Sequence, residues 1–143
     1  MSHTLSVIYY AADPLTGRRS HWSLFLSDPS SSSSLTGTIH EAQGGLLQMT
    51  YGRIESVTPS NDPTYRGKVD LCDLSTEEKV REFEDVVKGV ILPSSPLRIP
   101  KGMVRRDCQD WVGDVVDELV KKGVVEKEVR EKVDGIPRMI MLE

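Results

Sequence analysis

The front half of the chain alternates short apolar runs with turn residues, as a β-sheet protein does. Five runs are each bounded by Gly, Pro, Asp or Ser, at residues 5–11, 21–27, 36–42, 46–56 and 68–74. Between the second and third runs lie consecutive serines at 30–34, which cannot pack a core and are typical of a loop. The pattern therefore predicts four or five strands within residues 5–74.

The back half of the chain changes to helical periodicity. The stretch Ser75-Thr76-Glu77-Glu78 has the form of a capping box, with Ser75 as N-cap and Glu78 at N3. It predicts a helix over 75–90, whose apolar face carries Val80, Phe83, Val86 and Val87. Further helices are predicted over 107–122, ending at a basic turn and Gly123, and over 126–133.

Together these elements predict a single α+β domain over residues 1–143, with an antiparallel sheet of four to five strands packed against two or three helices. The composition is ordinary for a globular protein, with 38% hydrophobic and 28% charged residues. A net charge of −4 argues against nucleic-acid or anionic-membrane partners. No apolar run reaches the ~18 residues of a membrane helix, and the opening MSHTLSVIYYAADP lacks the features of a secretory signal. We therefore expect a cytoplasmic protein.

Two cysteines, Cys72 and Cys108, are present without a CxxC spacing. Two cysteines without that spacing are not expected to form a disulfide scaffold or a structural zinc site. We therefore predict no metal, no cofactor and a reducing compartment. Cys72 lies in VDLCDL, where flanking aspartates disfavour a thiolate. Cys108 lies in the first turn of the second predicted helix, where unpaired backbone N–H groups stabilise a thiolate.

A nucleophilic cysteine needs a base, and the chain offers His3, His21 and His40. His3 is close to the chain end and is expected to be incidental. His21 opens the run HWSLFLS and His40 lies toward the end of the next run, so antiparallel pairing would bring them within a few residues. A lone cysteine on an apolar helix face is more often inert packing, and a lone strand histidine is more often surface or satisfied core. Spacing alone leaves both interpretations open.

The strings HWSLFLS, TIHEA and DCQDWVGDVVDEL resemble the permuted papain-like thiol enzymes, which include lecithin–retinol acyltransferase, and small fungal proteins with an HW…CQDW pattern. In that family a His-Trp pair opens a strand, a second histidine ends the next strand, and an Asn-Cys pair opens a later helix. The resemblance follows the order of elements over residues 5–122. It implies a circularly permuted papain-like fold with Cys108 as nucleophile, His21 as general base and His40 as the orienting or polar third member.

Further residues near Cys108, with Asp107 among them, are candidates for oxyanion or substrate binding. The backbone N–H groups of Cys108 and Gln109, at the helix start, are candidate oxyanion donors. Arg105 and Arg106 could hold a carboxylate-bearing substrate, and Trp22, which we also expect in the core, is a candidate substrate contact.

This chain departs from the family pattern in two respects. Asp107 replaces the asparagine before the cysteine; aspartate caps a helix well, but its charge opposes a neighbouring thiolate unless the helix N-terminus and nearby arginines offset it. The acyltransferase relatives also carry a hydrophobic membrane anchor that this sequence lacks, so we expect a soluble small-molecule or peptide substrate.

The resulting functional hypothesis is cysteine-dependent acyl transfer or hydrolysis of an amide, ester or thioester through a thioester intermediate. One alternative is a non-catalytic ligand- or protein-binding module on the same fold, which Asp107 favours. Another is a biosynthetic tailoring enzyme that uses the same pocket. Family resemblance supports function only by analogy, and the substrate, acceptor and oligomeric state are not predicted.

Overall fold

The structure is a computed structural model that describes residues 3–11, 21–28, 36–45, 48–90 and 108–136. Its strands form one antiparallel sheet of five strands in the order β4-β3-β2-β1-β5. They are β1 (His3–Tyr10), β2 (Trp22–Ser27), β3 (Gly37–Gly45), β4 (Gln48–Val57) and β5 (Tyr65–Leu74). The α+β class and the antiparallel sheet are confirmed. The serine loop predicted at 30–34 lies outside the described residues.

Three helices follow the sheet in the chain, as the periodicity predicts: α1 (Glu77–Gly89), α2 (Cys108–Lys121) and α3 (Glu128–Asp134). Gly123 follows α2 with a φ of +74°, which confirms it as the residue that ends the helix in a left-handed conformation. Among the described helices, none is long and apolar enough to cross a membrane.

The predicted N-cap of α1 is wrong by one residue. Thr76, not Ser75, has the extended backbone of a cap, and its side-chain oxygen accepts from the backbone N–H of Lys79 at 3.1 Å. A capping side chain reaches the N–H two or three residues ahead, so the one-residue shift places Lys79 at N3 and Glu78 at N2. The expected capping box is therefore absent, and Thr76 alone caps the helix.

The main core lies between the sheet and the helices, on what we call the helix face of the sheet. Trp22 and Trp111 are both fully buried there, and for Trp22 this confirms the prediction. Helix α2 packs against β2 and β3, and its buried residues include Cys108, Val112, Val115 and Leu119. The first turn of α2 is thereby fixed against the sheet.

A smaller cluster covers the opposite side of the sheet, which we call the far face. Its buried members are Ile8, Tyr10, Phe25 and Ile39. Side chains alternate along a strand, so successive residues of β2 point in turn to the helix face and to the far face. This alternation decides which polar residues of β2 and β3 can meet.

Candidate active site

Cys108 is the first residue of α2 and is 7% exposed, at the margin of the main core. The first N–H groups of a helix have no partner within it, so the sulfur lies where the backbone favours negative charge. The expected cap Asp107 and the neighbouring Arg105 and Arg106 lie outside the described residues.

His21 immediately precedes β2 and is anchored by its carbonyl, which accepts a hydrogen bond from the backbone N–H of Tyr10 at 3.0 Å. Its ring is hydrogen-bonded to the side chain of Cys108. On its other side, Nε2 lies 3.1 Å from Oε1 of Glu41. The contact expected between His21 and Cys108 is therefore present, and a carboxylate holds the same imidazole.

The two side chains of this ion pair are partly exposed. The side chain of His21 is 38% exposed and that of Glu41 is 15% exposed. The ring of His21 also lies against Tyr10, with centroids 5.4 Å apart. His21 thus contacts residues of the far face while reaching Cys108, which belongs to the core on the helix face.

The electrostatics of His21 reflect these neighbours. Burial alone would lower its pKa, because it disfavours the charged ring. Hydrogen bonds to Cys108 and Glu41, together with their negative charges, overcome that effect and raise the pKa of His21 to about 10. At neutral pH the ring therefore carries a proton and donates toward both groups.

His40 does not orient His21. It pairs with Leu24 in the register between β2 and β3, and this places its side chain on the helix face. Its ring is fully buried, with Nδ1 2.6 Å from the hydroxyl of Tyr51 and its plane perpendicular to that of Phe83 at 5.2 Å. Positively charged Arg53 adds to the effect of burial, and the pKa of His40 falls to about 4.

The orienting position expected at His40 is instead occupied by its neighbour, Glu41. Adjacent strand residues point to opposite faces, so Glu41 faces the side on which His21 lies. Sequence reasoning missed Glu41 because it considered only the histidines. The signal was present in TIHEA, where an acidic residue directly follows the histidine.

The other candidates surround this arrangement. Gln109 is fully buried beside Cys108, and Trp22 is fully buried in the same core cluster as the sulfur. His3 hydrogen-bonds through Nδ1 to the carbonyl of Ser27 at 2.7 Å, at the opposite end of β2 from His21. In the parts of the chain that the structure describes, no three His, Cys, Asp or Glu side chains are grouped to hold a metal ion.

These features define a class of protein: an α+β domain in which a helix-start cysteine, a histidine just before a strand and a carboxylate meet at one end of a sheet. Residues 8–126 match the family of unknown function DUF6540, and the chain belongs to that family. The matched region contains Cys108, His21 and Glu41. No curated protein and no solved structure matches the chain.

Proposed function

We propose that the protein carries out cysteine-dependent acyl transfer or hydrolysis through a thioester on Cys108. One observation carries the proposal: a single imidazole, that of His21, is hydrogen-bonded to a helix-start thiol and to a carboxylate. A base within hydrogen-bond reach of both the nucleophile and an orienting group is the arrangement that thiol catalysis requires. Glu41 takes the third role in this scheme.

The chemistry follows from the protonation states. With Nε2 held by Glu41, Nδ1 is the ring nitrogen left to serve the sulfur of Cys108. In the ion-paired state the sulfur attacks the carbonyl carbon of the acyl donor, and protonated His21 gives its proton to the leaving group. Water, an amine or an alcohol then attacks the thioester carbon and passes a proton to His21, and sulfur departs as thiolate. Backbone N–H groups of Cys108 and Gln109 supply the oxyanion donors.

The finer architecture that fits this proposal is a circularly permuted papain-like domain. The base and its carboxylate come from strands early in the chain, and the nucleophile comes from a later helix; catalytic geometry can be built in either chain order. A soluble small-molecule or peptide substrate remains the proposed ligand class. Both cysteines are free thiols, which fits a reducing compartment such as the cytoplasm.

The proposal is tested with p-nitrophenyl acetate, an activated ester that needs no specific recognition. The expected result is a burst of nitrophenol and one acetyl group on the peptide that contains Cys108. Cys108→Ala should abolish both signals, and His21→Gln should slow acylation on the order of 100-fold. Glu41→Gln should slow it less, because the ring keeps its sulfur contact. Cys72→Ala is the matched control and should behave as wild type.

Acetylation that persists in Cys108→Ala, or that proceeds at the wild-type rate in His21→Gln, would remove the proposal. Circular dichroism of each variant shows whether a lost burst reflects chemistry or unfolding. The histidine variant is informative in this respect, since His21 lies outside the strand that follows it.

A non-catalytic binding module is the second candidate, and the burial of Cys108 favours it. Only 7% of that residue is exposed, which leaves little surface for a substrate carbonyl to approach the sulfur. A folded protein whose Cys108 resists both the ester and iodoacetamide would support the module over the enzyme.

A further inference from the structure

A groove of about 510 Å³ opens on the far face of the sheet beside His21. Its apolar lining includes Tyr10, Ile39, Ile54 and Val57. Ile54 is 42% exposed, which is unusual for a large apolar side chain, and it presents its surface to this groove. We call this space, with its lining residues, the far-face groove.

Two carboxylates lie along the same groove, Glu41 and Asp62. Hydrogen bonds from Thr64 hold the pKa of Asp62 below its usual range, so the group is ionised at neutral pH. Both of those bonds go to Oδ1 of Asp62, which leaves Oδ2 able to accept from a ligand. Burial, with smaller contributions from both carboxylates, raises the pKa of Tyr10 to about 12, so that phenol stays neutral.

The charges of the groove do not cancel. No lysine or arginine is among its described lining residues. The positive charge of protonated His21 is matched by Glu41, its ion-pair partner, so the charge of Asp62 is left over. A low-dielectric concave wall concentrates such a field and favours a cation.

We propose that the far-face groove binds the amine-bearing portion of the substrate, a protonated amine on an apolar body. The apolar body lies against Ile39 and Ile54, and the ammonium group donates to Asp62. This assignment rests on the proposed function, because the groove adjoins His21, the residue that exchanges protons with the leaving or accepting group. Binding itself requires no turnover and can be measured separately.

Three probes of similar shape and different charge test the proposal: phenethylammonium, 2-phenylethanol and 3-phenylpropionate. Each is titrated into ¹⁵N-labelled Cys108→Ala, which cannot form a thioester, and into wild type in case the variant does not fold. The expected result is saturable amide shifts around Ile39, Ile54 and Thr64, with the ammonium probe bound several-fold more tightly than the alcohol. The carboxylate probe should bind most weakly.

Matched variants separate the two parts of the recognition. Asp62→Asn should remove most of the preference for the ammonium probe over the alcohol, whereas Asp85→Asn, an exposed α1 carboxylate outside the groove, should leave that preference intact. Ile54→Ser should weaken all three probes alike. Equal affinity for the three probes, preference for the carboxylate, or an unchanged preference in Asp62→Asn would overturn the proposal. Because the ester assay needs no groove contact, ammonium binding without acylation would refute only the proposed function.

Discussion

Acidification should destabilise the protein through His40, a fully buried histidine. Its Nδ1 lies 2.6 Å from the hydroxyl of Tyr51, and burial raises the pKa of that phenol, which stays neutral. Its Nε2 has no hydrogen-bond partner among the described groups, so a doubly protonated ring would hold an N–H without an acceptor. Protonation would also place a charge in the core. The positively charged Arg53 and Lys88 oppose it further, and Glu84 is the nearby counter-charge on α1.

The magnitude follows from the depressed pKa. The unfolded chain takes up a proton near 6.5, whereas the folded protein resists until about 4. Between those values the unfolded state binds more protons, so stability is complete above pH 6.5 and falls as pH drops toward 4. At ~1.4 kcal/mol per pKa unit, the loss from His40 is about 3 kcal/mol. For His21 the pKa is raised, so its contribution is constant below pH 6.5 and declines as the pH rises from 6.5 to about 10.

Urea unfolding between pH 7 and 4 measures this effect, with His40→Asn as the comparison. The asparagine side chain can still hydrogen-bond to Tyr51 but does not titrate, so the variant should lose less stability on acidification. Other carboxylates titrate equally in both proteins, and the difference between the two slopes isolates His40. Parallel curves for wild type and His40→Asn would refute the reasoning and show that the ring is charged or solvated when folded.

Three further outcomes are expected. Iodoacetamide should label Cys108 before Cys72 in the folded protein, because burial raises the pKa of Cys72 and its neighbour Asp73 adds to the effect; peptide mapping that found Cys72 first would reverse the assignment of the nucleophile. Cys108→Ala should cost about 1 kcal/mol of unfolding free energy, since one core atom is lost, and a loss matching Val115→Ala would make Cys108 mainly a packing residue. Thr76→Ala should cost ~1 kcal/mol by removing the helix cap, with Ser75→Ala nearly neutral; equal losses would contradict the observed cap.

Element type was predictable because it depends on local patterns. Five apolar runs gave five strands, and the periodicity around Phe83 and Trp111 gave helices with buried faces. The cap at Thr76 was missed because Ser75 and Thr76 have equivalent capping chemistry in sequence, and the backbone conformation chooses between them.

The identity of the third site residue depended on register, which is not local. Pairing Leu24 with His40 fixes the facing of every side chain on β3, and a slip of one residue would exchange His40 with Glu41. The two residues are adjacent in the sequence, and no local feature indicates which face of the sheet each side chain points to. The polarity of the surroundings explains why His40 and not Glu41 points into the core. A histidine can be buried in its neutral form, whereas a carboxylate in that position would need a charged partner.

Contacts with Cys108 and Glu41 also couple the proton affinity of His21 to the proposed chemistry. A ring with a pKa of about 10 is a poor base at neutral pH when Cys108 is a thiolate. Once the sulfur is acylated, its negative charge is gone, and one of the two causes that raise the pKa of His21 disappears. The proton that the ring gave to the leaving group is then not readily regained from solvent, and the ring stays neutral, as the second half-reaction requires. Glu41 remains to hold the ring in place.

This coupling predicts a measurable change when Cys108 is capped. In a Cys72→Ala background, carbamidomethylation of Cys108 should lower the pKa of His21 from about 10 toward, but not below, its ordinary range, as followed by NMR titration of the ring. Glu41 still stabilises the charged ring, so the remaining elevation should disappear only when Glu41→Gln is added. If capping left the titration of His21 unchanged, the thiol would not raise the pKa of the ring, and Glu41 alone would account for the elevation.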